Sequence, residues 1–88
     1  MDLDALLHHY FGTDDPETLS PAEIEAGCDR VLIAFGTERE PGRRFALWAL
    51  LHALGAAPDP VEAFREPREQ QAAMLYARAA ESASEPDG

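Results

Sequence analysis

Apolar residues recur along the chain at the three- and four-residue spacing of an α-helix, and no strand-like alternation of any length is present. The first helical stripe consists of Leu3, Leu6, Leu7, Tyr10 and Phe11. Asp2 and Asp4 lie at the start of this stripe and His8 and His9 near its end, as the helix dipole favours. We expect Gly12 to end this first helix.

The clearest helix-start signal in the chain is formed by Ser20, Pro21 and Glu23. A serine N-cap, a proline at the first helical position and a glutamate three residues after the cap predict a capping box. The predicted buried face of this second helix contains Ile24, Cys28, Val31 and Phe35, with Leu32 beside it. We expect Gly36 to end the second helix.

The third helix is predicted over about residues 41–54, because Glu40 precedes a proline and is therefore disfavoured in α geometry. Its apolar residues cover nearly the whole circumference and are Phe45, Leu47, Trp48, Leu50, Leu51 and Leu54. A helix that is apolar on all sides is typical of the centre of a fold. Gly55 is expected to close this helix.

A fourth helix is predicted to begin at Asp59 and Pro60 by similar capping logic, and Pro67 then interrupts it. An interior proline removes a backbone hydrogen bond and clashes with the preceding turn. We therefore expect a break or kink between Arg65 and Pro67, followed by a helix that ends at about Ala83.

These elements predict an all-α fold, a small three- to four-helix bundle around the central apolar helix of about residues 41–54. Residues 1–83 are predicted to form a single helical domain, which suits a chain of 88 residues. Residues 84–88 are predicted to be a disordered acidic tail.

The charge of the chain is strongly negative, with 17 acidic residues against seven basic ones and a net charge of −10. Residues 1–40 hold ten acids and two arginines, net −8, and residues 41–88 hold seven acids and five arginines, net −2. Such a charge repels nucleic acid and anionic membrane surfaces, so we expect neither as a partner.

The composition also indicates an origin and a compartment. The absence of lysine and asparagine, together with abundant alanine, is typical of a GC-rich bacterial coding bias. The single cysteine favours a reducing compartment, and no apolar run approaches the roughly 20 residues that span a bilayer. We expect a cytoplasmic protein.

No motif for catalysis, metal or cofactor binding is present. Adjacent His8 and His9 point about 100° apart on a helix, and Asp4 with His8 supplies only two of the four ligands that structural zinc prefers. Cys28 lies on an apolar helix face, where free cysteine packs as a small hydrophobe. We predict that the protein is not an enzyme and takes no metal or cofactor.

Two groups of residues are candidate contact sites. Arg39, Arg43 and Arg44 lie around the start of the third helix, where positive charge opposes the helix dipole. These arginines either pair with nearby acids or form an anion or partner contact, together with the free N–H groups of the helix end. The second group is the apolar set that a small bundle is expected to leave uncovered, a candidate homodimer interface if it is not internal core: Phe45, Leu50, Met74 and Tyr76.

The first functional hypothesis is a small acidic, non-enzymatic protein–protein interaction module, an adaptor or regulator that binds a protein partner or a second copy of itself. The alternative is an acidic inhibitor, an antitoxin or immunity-type protein that neutralises a basic partner. In size, charge and helix count the chain is similar to the immunity proteins of bacterial nuclease toxins, although it shares no motif with them. A third hypothesis is a small-anion sensor built on Arg43 and Arg44.

Overall fold

The chain folds into α-helices joined by short loops. The computed structural model describes residues 3–84 and, within them, the side chains of residues 3–82. Its elements, in chain order, are α1 (Leu3–Phe11), a 3-10 turn (Pro16–Thr18), α2 (Pro21–Thr37), α3 (Pro41–Ala53), α4 (Pro60–Ala63) and α5 (Pro67–Ser84). No strand occurs between residues 3 and 84, so the predicted all-α fold class is confirmed.

Proline starts four of these helices, because Pro21, Pro41, Pro60 and Pro67 are the first residues of α2, α3, α4 and α5. The N–H group at the first position of a helix has no hydrogen-bond partner within the helix, so a proline there loses no bond. The fixed φ of proline also suits the helix. The predicted interruption before Pro67 is confirmed, since residues 64–66 are non-helical.

Two helix ends depend on glycine, as predicted. Gly12 and Gly55 adopt φ values of 76° and 75°, a left-handed conformation that other residues rarely take. Gly36 was predicted to end α2, but the helix includes Gly36 and Thr37. The Thr37 hydroxyl donates to the carbonyl oxygens of Ile33 and Ala34, at 3.2 Å each, so the last turn closes without a left-handed residue.

The chain divides into two compact units, with the boundary between Ala57 and Pro58. In the first unit α3 packs against α2, and α1 packs against both. Every residue from Ala46 to Leu51 is buried, and Trp48 is among the most buried side chains, as expected for a central apolar helix.

The second unit consists of α4, α5 and the segment between them. The side-chain amide of Gln70 donates to the Phe64 carbonyl oxygen at 2.7 Å, which ties the break to the first turn of α5. Asp59 was expected to cap α4 with its side chain, but it makes no such bond. Its backbone carbonyl instead accepts the N–H groups of Glu62 and Ala63, at 3.0 and 2.8 Å.

Two predictions concerned the domain organisation of the chain. The prediction that residues 1–83 form a single domain stays a prediction, since the chain divides into two compact units. α5 ends at Ser84, the first residue of the predicted disordered tail. Residues 85–88 of that tail lie outside the described residues.

Candidate functional site

The arginine cluster at the start of α3 is organised by Glu40, the residue just before the helix. Its carboxylate accepts the backbone N–H groups of Gly42 and Arg43, at 3.1 and 2.7 Å. The bond from Arg43 and then the bond from Gly42 lower the pKa of Glu40 below its usual value, and the Arg43 charge lowers it further. The N-terminus of α3, which the sequence suggested as a site for an external anion, is therefore already occupied by the Glu40 carboxylate.

The three arginines have separate surroundings. The Arg44 guanidinium lies 4.4 Å from the centre of the Phe35 ring, and its Nε donates to the Phe35 carbonyl oxygen at 3.5 Å. This cation–π contact joins α3 to α2. Arg39 is exposed in the loop between α2 and α3, and Arg43 is exposed on the first turn of α3. Arg44 thus acts in packing, and Arg39 and Arg43 remain available as surface charges.

Arg43 also lines a half-open groove of about 400 Å³ on the first unit. The groove is lined by Leu6, His9, Tyr10, Glu38, Arg43 and Leu47. The Glu38 carboxylate is engaged within its own loop, because it accepts the backbone N–H groups of Arg39 and Glu40, at 3.2 and 3.3 Å. The groove therefore combines the Arg43 cation and the partly engaged Glu38 carboxylate with the His9 and Tyr10 rings and two leucine side chains.

Two further features of the described residues concern the single thiol and possible metal ligands. The Cys28 thiol is buried. Burial raises its pKa, and the Asp29 carboxylate raises it further, so the reactive thiolate is disfavoured. Among residues 3–84 no group of three or more His, Cys, Asp or Glu side chains is placed to hold a metal ion.

The predicted dimer residues differ widely in exposure. Leu50 is only 3% exposed, so it belongs to the core and offers nothing to a second copy. Phe45 is half-buried, and its ring lies 6.0 Å from that of Trp48. Tyr76 is half-buried, whereas Met74 is 44% exposed. Sequence pattern alone could not rank these four residues, because their burial depends on how the helices pack.

The outer face of α2 is a surface that the sequence reasoning missed. It carries Leu32, which is 39% exposed, and Ile33, which is 69% exposed. Ile33 stands two residues from both Val31 and Phe35, and at about 100° per residue this spacing places it opposite the buried stripe. That offset is the signal that could have identified Ile33 as a surface residue.

The rest of the α2 outer face consists mainly of small residues and acids. At helical spacing the exposed residues of this face are Ala22, Glu25, Ala26, Asp29, Leu32, Ile33 and Gly36, with the exposed Arg30 at its edge one turn before Ile33. They form a strip of roughly 20 Å along the helix axis, with Glu25 and Asp29 towards one end and the two large aliphatic side chains towards the other. A side-chain carbon added at Gly36 would meet no atom within 4 Å, so this end of the strip is open to an approaching surface.

A second exposed surface lies on α5. Met74 is joined there by Leu75, which is 57% exposed. Exposed charged side chains stand on either side of this pair along the helix: Arg68, Arg78 and Glu81. Two adjacent large apolar side chains in water are typical of a contact surface.

Comparisons of the chain with protein-family models, with curated proteins and with solved structures find no match. Within residues 3–84, no helix combines the length and the apolar character needed to cross a membrane. The two exposed surfaces, the outer faces of α2 and α5, are the candidate contact sites of the described residues.

Proposed function

We propose that the protein is a non-enzymatic protein–protein interaction module that binds a basic partner protein through the outer face of α2. The observation that carries this proposal is the 69% exposure of Ile33 beside an exposed Leu32, on the same strip as Glu25 and Asp29. A large aliphatic side chain in this position contributes nothing to the core of the chain, but it suits an anchor that enters a pocket on a partner.

The apolar part of the face supplies affinity. Covering the exposed part of Ile33 would contribute roughly 1–2 kcal/mol, and Leu32 would add less because a smaller part of it is exposed. The small residues Ala22, Ala26 and Gly36 allow a partner to approach the α2 backbone closely.

The acidic part of the face supplies specificity. Glu25 and Asp29 are exposed on the strip, and the whole chain carries a net charge of −10. Complementary charge steers association and disfavours partners of the same sign. A second copy of this chain would bring the same acids to the contact, so a partner with a basic surface fits the face better.

The experiment is a comparison of matched variants in partner capture from cells that express the protein. Ile33→Ser removes the proposed anchor, and Val61→Ser removes a similarly exposed aliphatic side chain on α4. Asp29→Asn removes a charge from the strip, and Asp59→Asn makes the same change at another exposed aspartate. Each captured protein is identified by mass spectrometry, and its affinity for the purified variants is then measured at several salt concentrations.

The expected result is a basic partner that Val61→Ser and Asp59→Asn retain, that Ile33→Ser loses, and that Asp29→Asn binds more weakly at low salt. A partner that Ile33→Ser retains, or a partner without a basic surface, would contradict the proposal. Circular dichroism of each variant checks that the helical content is unchanged.

An acidic inhibitor of the immunity or antitoxin type is the second candidate, and the concentration of negative charge in residues 1–40, net −8, favours it. An inhibitor and an adaptor would use the same face of α2. They differ in the effect on the partner, because an inhibitor abolishes the partner's activity at an equimolar ratio and an adaptor leaves it intact. The anion-sensor hypothesis has less support, since Glu40 occupies the N–H groups on which it depended.

A further inference from the structure

We infer that the groove between α1 and the start of α3 binds a small zwitterion, an α-amino acid with a large aliphatic side chain. The groove has a volume of about 400 Å³, within the range of about 300–1,000 Å³ that is typical of small-molecule sites. Its lining residues all lie in the first compact unit. None of them belongs to the outer face of α2, so the inference does not depend on the proposed function.

The apolar floor of the groove comes from residues at helical spacing. Tyr10 and His9 follow Leu6 by four and three residues, so the three side chains share one face of α1. Arg43 and Leu47 are likewise four residues apart on α3. Leu47 is 4% exposed and Leu6 is half-buried, whereas Arg43 is exposed. The two leucines therefore form the floor of the groove, and Arg43 lies on its rim.

Two charged groups of the groove have capacity for further hydrogen bonds. The N–H groups of Arg39 and Glu40 both donate to one oxygen of Glu38, Oε2, so Oε1 can accept a bond from a ligand. The Arg43 charge acts on the Glu40 carboxylate, but its guanidinium makes no hydrogen bond or salt bridge with another residue in the described part of the chain. The groove thus offers one acceptor and one cation with several N–H donors.

These two opposite charges select the charge of the ligand. A carboxylate pairs with a guanidinium through two parallel hydrogen bonds, and an ammonium group donates well to a carboxylate oxygen such as Glu38 Oε1. A phosphate group would bring about −1.5 to −2 charge beside Glu38, in a chain of net charge −10. A simple cation would lie beside Arg43. A zwitterion has no net charge, so it avoids both repulsions and satisfies both groups.

The floor of the groove selects the side chain of the ligand. An aliphatic side chain laid on Leu6 and Leu47 removes apolar surface from water on both sides of the contact. A charged side chain would instead lose hydration there, and glycine would leave the floor uncovered. Because the groove is half-open and the ligand is small, binding should be weak, with a dissociation constant of about 0.1–1 mM.

The experiment is a titration of the isotope-labelled full chain with free L-leucine, followed by the amide shifts in heteronuclear NMR spectra. Leucine is added to about 20 mM, well above the expected dissociation constant, in about 0.15 M salt to screen the net charge. The shifts should saturate, and the largest should fall within residues 6–10 and 38–47, which hold the lining of the groove.

Three analogues each remove one group of the ligand. Leucinamide lacks the carboxylate, 4-methylpentanoate lacks the ammonium group, and glycine lacks the side chain. Each should bind roughly tenfold or more weakly than leucine. The comparison with leucinamide is the most stringent, because the net charge of −10 attracts this cation and would favour its binding if Arg43 played no part.

Matched variants assign the two charges. Arg43→Gln should weaken leucine binding roughly tenfold, and Glu38→Gln about fivefold. Arg39→Gln changes an exposed arginine that does not line the groove, and Glu25→Gln changes a glutamate on the outer face of α2. These two controls should bind leucine within about twofold of wild type. Circular dichroism checks that each variant keeps its helical content.

Four results would overturn the inference. Shifts that do not saturate up to the highest leucine concentration would mean that the groove does not bind the amino acid. Shifts centred outside residues 6–10 and 38–47 would locate the site elsewhere. Wild-type affinity in Arg43→Gln, or leucinamide binding as tight as that of leucine, would refute the pairing of Arg43 with the ligand carboxylate. None of these results bears on the partner proposed for α2, which the Ile33 and Asp29 variants test separately.

Discussion

The contact between Phe11 and Gly27 offers a sharp test of how α1 packs on α2. Gly27 lies on the buried face of α2, and the Phe11 ring from the end of α1 lies directly over it. A methyl group at position 27 would be 2.6 Å from Phe11 Cζ and nearer still to two other ring atoms. Gly27→Ala therefore cannot be accommodated unless the ring moves.

Two opposing effects decide the sign of Gly27→Ala. Alanine is favoured over glycine inside a helix by up to about 1 kcal/mol. Overpacking a closely packed contact costs about 1–3 kcal/mol. The atoms in conflict belong to the ring of a half-buried side chain, which can rotate away only by losing its contact with α2. We expect a net loss of about 1–2 kcal/mol in the free energy of unfolding.

A double-mutant cycle separates the two effects. In the Phe11→Ala background there is no ring to displace, so Gly27→Ala should become stabilising by roughly 0.5–1 kcal/mol. Gly36→Ala is the matched control, because Gly36 is a glycine of the same helix with open space where the new carbon would stand. Gly36→Ala should stabilise the wild-type protein by less than about 1 kcal/mol, because Gly36 lies in the last turn of α2.

The assay is urea denaturation followed by the fluorescence of Trp48, the single tryptophan, which lies in the same compact unit as Phe11 and Gly27. Stabilisation of the wild-type protein by Gly27→Ala, as by Gly36→Ala, would contradict this packing. So would a loss of stability on Gly27→Ala that is the same with and without the Phe11 ring. Either result would mean that the Phe11 ring does not lie on Gly27 in solution.

Three further predictions concern stability. Trp48→Ala should cost about 3–5 kcal/mol, because it removes a fully buried side chain. Ser20→Ala should cost about 1 kcal/mol and Ser20→Gly only a few tenths, because Ser20 Oγ accepts the Glu23 N–H at 3.2 Å. Glu40→Gln should make the free energy of unfolding less sensitive to acidification. The folded-state pKa of Glu40 is lowered, so the stabilisation by its carboxylate is present above the usual pKa of 4.5. It is lost as the pH falls through the folded-state pKa.

Each of these predictions has a clear contrary outcome. Thermal melting of Trp48→Ala within a few degrees of wild type would contradict the assignment of the core. If urea denaturation shows that Ser20→Ala and Ser20→Gly lower the free energy of unfolding equally, the stabilisation would not come from the Ser20 cap bond as argued. For Glu40, the control is Glu25→Gln on the outer face of α2, and identical acid profiles of the two variants would contradict the role of Glu40 as cap.

Much of the secondary structure follows from the sequence alone, because the signals act within one or two turns. The capping box joins Ser20 and Glu23 by reciprocal bonds of 3.2 and 3.0 Å, and both partners are three residues apart in the chain. Proline at the first helical position and glycine at a left-handed end depend only on the local backbone. The all-α class and the interruption before Pro67 could therefore be predicted.

The candidate surfaces were decided by the tertiary structure. Helical periodicity grouped Leu50 with Met74 as dimer residues, yet Leu50 is in the core and Met74 is exposed. The role of Arg44 depends on the Phe35 ring nine residues away, and the passage of Phe11 over Gly27 depends on the angle between two helices. Hydrogen bonds within a turn are specified by neighbouring residues, whereas exposure depends on which helix covers which face, and that is settled only when the helices pack together.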